Sequence, residues 1–257
     1  MNLTPVTTIN TEALSIYKQL RDRNLSHDNS FIADTPKVVN LLLTQDIEVK
    51  SILATQEYYD TYQDLLSLKK IPLLYVAERS ILEQIVGHKV HHNVMMHGLR
   101  PPAHTLSELG DKIIMLDEIS STENIGSIAR SAAALGVDSY LLPKQGPHPF
   151  NRRALRVSMG HAALLKIHQY ENILETIASL QADGYTVFGA EVSDDAIGLR
   201  DAVIPKKWVL LMGHEGKGLS QDVLDACDQT LVIEMVEGIK SFNVSVAASI
   251  MMYHFLK

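Results

Sequence analysis

At 257 residues the chain is long enough for one large domain or two modest ones. Its 46% hydrophobic and 21% charged content describes an ordinary globular protein, and no apolar stretch approaches the ~20 residues of a membrane span. A net charge of −7 argues against nucleic-acid binding over the whole surface but leaves room for a local basic strip. Cys227 is the one cysteine, which excludes an internal disulfide and fits a reducing, cytoplasmic setting. No basic start followed by an apolar core marks a secretory leader.

In the first half short strands and helices alternate. Residues 12–23 predict a helix, 31–33 an extended run, and 36–45 a helix with Pro36 in its first turn. Next come a strand at 49–54, a helix at 57–68, a strand at 73–77, a helix at 79–86 and an extended run at 90–96. Such alternation implies a small α/β sandwich. A joint falls near 98–111, where Gly98-Leu99-Arg100-Pro101-Pro102 suits neither helix nor strand. Beyond it the apolar runs strengthen. Strands are predicted at 112–116, 139–142, 186–190, 209–212 and 231–235, with helices at 125–135, 171–182, 220–227 and from 243 onward. Continuous apolar strands alternating with helices mean a mostly parallel sheet covered on both faces. The expected organisation is thus α/β throughout, with a small domain over 1–105 and a larger one over 111–257.

Three segments of the second half carry chemistry. Asn124-Ile125-Gly126 opens a helix that bears Arg130, at a strand-to-helix turn of the kind where parallel sheets hold ligands. Gly213-His214-Glu215-Gly216-Lys217-Gly218 puts three glycines in six residues, which lets backbone approach a ligand or another segment closely, yet it lacks the P-loop spacing. Ser241, Asn243 and Ser245 open the last apolar helix, and either Ser241 or Asn243 suits its N-cap. In order and spacing these segments resemble the three motifs of the SpoU/TrmH family of RNA ribose methyltransferases, within the SPOUT superfamily.

That resemblance implies a C-terminal domain whose last segment threads a loop into a trefoil knot, preceded by a small RNA-binding domain that starts near 31–39. It implies S-adenosylmethionine as methyl donor, a ribose 2′-hydroxyl of rRNA or tRNA as acceptor, and a homodimer. Arg130 would lie nearest the reacting hydroxyl, with Asn124 of the same motif also in the catalytic set. Arg keeps its charge in proteins, so Arg130 either loses a proton transiently beside an RNA phosphate or orients the hydroxyl and steadies developing charge, the option physics favours. Glu215 would hold the polar framework, and Ser241 and Asn243 would position ribose and donor. Gly213, with His214 beside it, would meet the cofactor through backbone, and Ile233, Met235 and Phe242 would wall its adenine. The family has Ile-Pro-Met where this chain has Ile233-Glu234-Met235, and Glu237 with Gly238 where the family's Gly falls one place earlier. Losing Pro makes that loop less preorganised.

Arg152, Arg153 and Arg156 match the family's substrate side and are expected to meet RNA phosphates, although a solvated face also explains such a cluster. His88, His91, His92 and His97 lack cysteine neighbours and paired helical spacing, so no metal is expected. The competing possibility is a non-catalytic RNA-binding protein that retains the methyltransferase fold. Intact Asn124, Arg130, Glu215, Ser241 and Asn243 speak against it.

Overall fold

The structure, a computed structural model, describes residues 1–18, 28–86 and 93–256. Up to residue 102 the elements are β1 (Thr4–Val6), α1 (Ser15–Lys18), β2 (Ser30–Asp34), α2 (Pro36–Leu43) and β3 (Val49–Ala54). α3 (Gln56–Thr61), α4 (Gln63–Ser67), β4 (Leu73–Ala77), α5 (Arg79–Val86) and β5 (Val94–Leu99) follow. Next come β6 (Lys112–Leu116), α6 (Thr122–Leu135), β7 (Ser139–Pro143), α7 (Arg152–Val157) and β8 (Lys166–Tyr170). The chain closes with α8 (Ile173–Ala182), β9 (Thr186–Ala190), β10 (Ile197–Gly198), β11 (Trp208–Met212), α9 (Gln221–Ala226), β12 (Gln229–Val232) and α10 (Val244–Phe255). These elements form two compact units, Met1–Pro102 with Phe150–Ala163, and Ala103–Pro149 with Leu164–Lys257.

The first unit holds a five-stranded sheet in the order β1-β4-β3-β5-β2, with β1, β4 and β3 parallel and β5 antiparallel to both β3 and β2. Leu14, Tyr17, Ile32, Leu53, Leu82 and Met95 pack one buried cluster. The large polar rings inside find partners, as buried hydroxyls must. Tyr17 bonds Ser51 at 2.7 Å, and the Tyr59 hydroxyl reaches the carbonyls of Ile52 and Tyr75. The segment around α7, predicted with the second domain, groups with this unit. Phe150 packs edge-on against Phe31 with centroids 5.1 Å apart. Arg152 donates through Nε to the Asp34 carboxylate at 2.9 Å, and Arg156 stands 3.5 Å from its other oxygen. Asp34 is only 2% exposed, so it needs these cations.

In the second unit all seven strands run parallel, in the order β10-β12-β9-β11-β6-β7-β8. β11 lies among the inner strands and every one of its residues is buried, which is why it reads as an unbroken apolar run. Its odd positions, Val209 and Leu211, join Ile113, Met115, Ile177, Leu180 and Val223 in a cluster with α8 and α9. Even-numbered Trp208 faces α10, where Phe255 packs edge-on at 5.0 Å and also meets Phe188 at 5.2 Å. α10 lies along α6, with Ser249 and Ser131 hydroxyls 2.7 Å apart between them.

Several predictions of local structure shift. β12 ends at Val232 rather than at 235, because Ile233 and Met235 leave the sheet to wall a cavity. β8 is an additional strand at the sheet edge, half-exposed and therefore too polar to be predicted from apolar runs. β1 is too short to leave a signature. The helix expected at 57–68 breaks at Tyr62 into α3 and α4. Residues 19–23 of the first predicted helix and 90–92 of the extended run lie outside the described residues.

Candidate active site

The carboxyl ends of parallel strands leave a crevice where ligands bind in open α/β sheets. Here a cavity of about 300 Å³ opens at the ends of β9, β11 and β12. Residues 190–192, the glycine loop 213–218, parts of the segment from Leu231 to Phe242 and one side of α10 line it. Its size falls at the small end of the range for small-molecule sites.

At its mouth stands Glu215. Its carboxylate accepts from the Ser120 N–H and hydroxyl at 3.1 Å each, from the Ser121 N–H at 3.0 Å, and from the Asn124 side-chain amide at 3.0 Å. The Asn124 oxygen in turn accepts from the Asn243 amide at 3.2 Å, and the Asn243 oxygen caps α10 by accepting from Ser245 N–H at 2.9 Å. The open choice of cap is thereby decided for Asn243. Three segments distant in sequence are thus joined by one chain of hydrogen bonds. Partial burial works to raise the Glu215 carboxyl, but the Asn124 amide and the N–H groups of Glu215, Ser120 and Ser121 outweigh it and lower it to about 2. The group is therefore a fixed anion that orders its neighbours, not a proton carrier near neutral pH.

The glycine loop closes on itself. A Cβ at Gly213 would sit 2.6 Å from the Gly218 carbonyl carbon and 2.7 Å from the Leu219 nitrogen, so the pressure for glycine here comes from the loop's own backbone. Gly218 adopts φ +68, which a side chain resists. His214 lines the cavity while its Nδ1 accepts from the Gly216 N–H at 2.9 Å. Ile233, Met235, Phe242 and Ser241 all line the cavity. Glu234, which stands where the family has proline, is not among the lining residues. Its carboxylate lies 4.0 Å from Arg200 Nε and against Gly198.

Arg130 is exposed and does not line the cavity. It sits six residues past Asn124, about 9 Å along α6. In the first unit, Arg153 and Arg156 are exposed, whereas the Arg152 guanidinium is drawn into the pair with Asp34. Among the described residues no group of three or more His, Cys, Asp or Glu could hold a metal ion. His97 instead bonds Ser30 at 2.9 Å, and His88, His91 and His92 lie outside the described residues.

Sequence reasoning missed Ser120, Ser121 and Glu191. The serines show only as an N-cap signal ahead of α6, since their bonds to Glu215 span more than 90 positions. Glu191 follows directly on β9, lines the cavity, and accepts from the Leu219 N–H at 2.9 Å, pinning the glycine loop. An acidic residue at a strand's carboxyl end is the signal that could have found it.

An all-parallel α/β sheet with a ligand-sized cavity and a hydrogen-bonded polar cluster at its carboxyl edge defines a ligand-binding α/β domain. Residues 111–253 match the SpoU rRNA Methylase family, and the chain belongs to that family. A Staphylococcus haemolyticus protein assigned provisionally to the TrmH family of tRNA/rRNA methyltransferases is 37% identical over 141 residues, 55% of this chain. That match spans 56% of the relative, so the chain matches only about half the length of such curated relatives. Among solved structures, an S-adenosylmethionine-bound rRNA methyltransferase from Sinorhizobium meliloti aligns at TM-score 0.86 with 21% identity, covering 98% of this chain and 97% of that one. An RNA 2′-O ribose methyltransferase aligns at 0.77 with 19% identity over 98% of both chains. At such identities these likenesses speak for the fold.

Proposed function

We propose that the protein moves the methyl group of S-adenosylmethionine onto a ribose 2′-hydroxyl of structured RNA, rRNA or tRNA. The observation that carries this is the hydrogen-bonded chain from Ser120 and Ser121 through Glu215 and Asn124 to Asn243, which gathers three family motifs at the mouth of one cavity. The cavity suits the cofactor. Ile233, Met235 and Phe242 offer apolar walls to an adenine, while the glycine loop lines the cavity with few side chains in the way. When bound, the cofactor supplies an electrophilic methyl group. The residues of this chain hold what attacks it. Glu215 fixes Asn124, and Asn124 and Asn243 fix each other, so amide dipoles at the mouth are set before a hydroxyl arrives. Arg130 orients the ribose hydroxyl and steadies negative charge on its oxygen as the proton leaves, because a guanidinium that keeps its charge makes a poor base.

The resemblance further supports a trefoil knot formed by the C-terminal segment, a first domain that grips RNA with Arg153 and Arg156, and a homodimer. Val246, Ile250 and Tyr253 stay exposed on one face of α10, an apolar stripe suited to a second copy, whereas Met251 and Phe255 belong to the core. Among the described residues no helix is long and apolar enough to cross a membrane. Ribose-methylation mapping on RNA from cells with and without the protein tests the proposal. One or more 2′-O-methyl marks that vanish with the protein are expected, and an unchanged map would count against it.

A further inference from the structure

A second cavity, of about 310 Å³, opens at the carboxyl ends of β6 and β7 beside the one just described. Leu116 in its wall and Met212 in the first cavity's wall are register partners on the adjacent strands β6 and β11. The ridge between them is the polar cluster itself. Ser120 lines the second cavity, Glu215 lines the first, and the two are hydrogen-bonded at 3.1 Å.

From this geometry we propose that the second cavity receives the base of the target nucleotide, which rests on the methyltransferase reading and locates its acceptor. Ile119, Leu142, Pro143 and Pro147 give apolar walls, with Ser120, Gln145 and Glu118 as polar groups along them. Proteins that recognise single-stranded RNA seat unstacked bases against side chains and read their polar edges with a few hydrogen bonds. A phosphate is the wrong occupant, because among the described residues no cation lines the cavity and Glu118 brings a carboxylate to it. A base edge with N–H donors suits Glu118 and the Gln145 carbonyl oxygen. Glu118 is held at φ +51, a conformation that costs a non-glycine residue energy and recurs at functional sites. With the base seated there, the ribose lies over the Ser120–Glu215 ridge and its 2′-hydroxyl faces the first cavity.

The test uses the full chain, labelled S-adenosylmethionine and RNA extracted from cells lacking the protein. Gln145 is exposed, so Gln145→Ala leaves the fold intact, and losing one base contact should lower kcat/KM for RNA about five- to tenfold. Ile119→Phe fills the cavity and should lower it further. Both variants should bind S-adenosylhomocysteine within about twofold of wild type, which a merely structural role for the cavity would not preserve. Wild-type transfer matched by Gln145→Ala and by a folded Ile119→Phe overturns the base site alone. Loss of cofactor affinity in step with transfer overturns it as well. Wild-type protein that transfers no methyl to this RNA overturns both the base site and the methyltransferase reading.

Discussion

Replacing Glu215 with alanine removes the acceptor of four hydrogen bonds at once, three of them from groups that water can reach. Ser120 is exposed and Ser121 half-buried, so their donors rehydrate at modest cost. Asn124 is 9% exposed, and its amide would be left largely unpaired, a loss of about 1–3 kcal/mol. Because the carboxylate is itself largely exposed, solvent screening keeps its charge from adding much more. We therefore expect Glu215→Ala to destabilise the protein by about 2 kcal/mol at pH 7, read by urea unfolding, and to weaken cofactor binding. Sign follows from linkage: the folded carboxyl is lowered to about 2, below its ordinary range of ~4.3. Its contribution is fully present above that ordinary value and disappears as pH falls toward 2. The gap between wild type and Glu215→Ala should therefore be flat from about pH 5 to 8 and narrow below pH 4. An equal stability at pH 7, or a gap that widens in acid, would refute the anchoring role given to Glu215.

Gly213→Ala should destabilise by about 1–3 kcal/mol and loosen cofactor binding, since its Cβ meets loop backbone, whereas Gly216→Ala, with nothing nearer than 3.8 Å, should be close to neutral by thermal unfolding. Arg130→Ala should lower methyl transfer about 10²–10³-fold while leaving cofactor affinity unchanged, with no recovery in Arg130→Lys. Arg152→Ala should cost about 1–3 kcal/mol, because buried Asp34 loses its hydrogen-bonded cation and keeps Arg156 at 3.5 Å, while Arg153→Ala should weaken RNA binding and reduce its salt dependence.

The parallel sheet was legible because inner strands such as β11 are apolar at every position, a pattern that needs no partner to be recognised. The three motif segments were legible for a different reason: their polar residues and glycines sit where strands turn into helices. What joins them was not. The Glu215 bonds to Ser120 and Ser121 and the Asn124–Asn243 bond close over gaps of more than 90 positions, and no local pattern encodes such a gap. Arg152 illustrates the limit from the other side. In sequence it is one of three arginines in a basic run, and nothing local there marks its pairing with the buried carboxylate of Asp34, 118 positions away. Ile233 and Met235 were misplaced in a strand because alternation with Glu234 looks the same whether the apolar side chains meet a sheet face or a cavity.

The central claim is that the cluster around Glu215 serves methyl transfer to ribose. Its most direct measurement incubates the purified protein with methyl-labelled S-adenosylmethionine and RNA from cells lacking the protein, digests the product to nucleosides and separates them. Label in a 2′-O-methylnucleoside, absent with Arg130→Ala, is the predicted result. Label on a base, or RNA binding and cofactor binding without any transfer, would contradict the account, and the second outcome would point to an RNA-binding protein that has kept the fold.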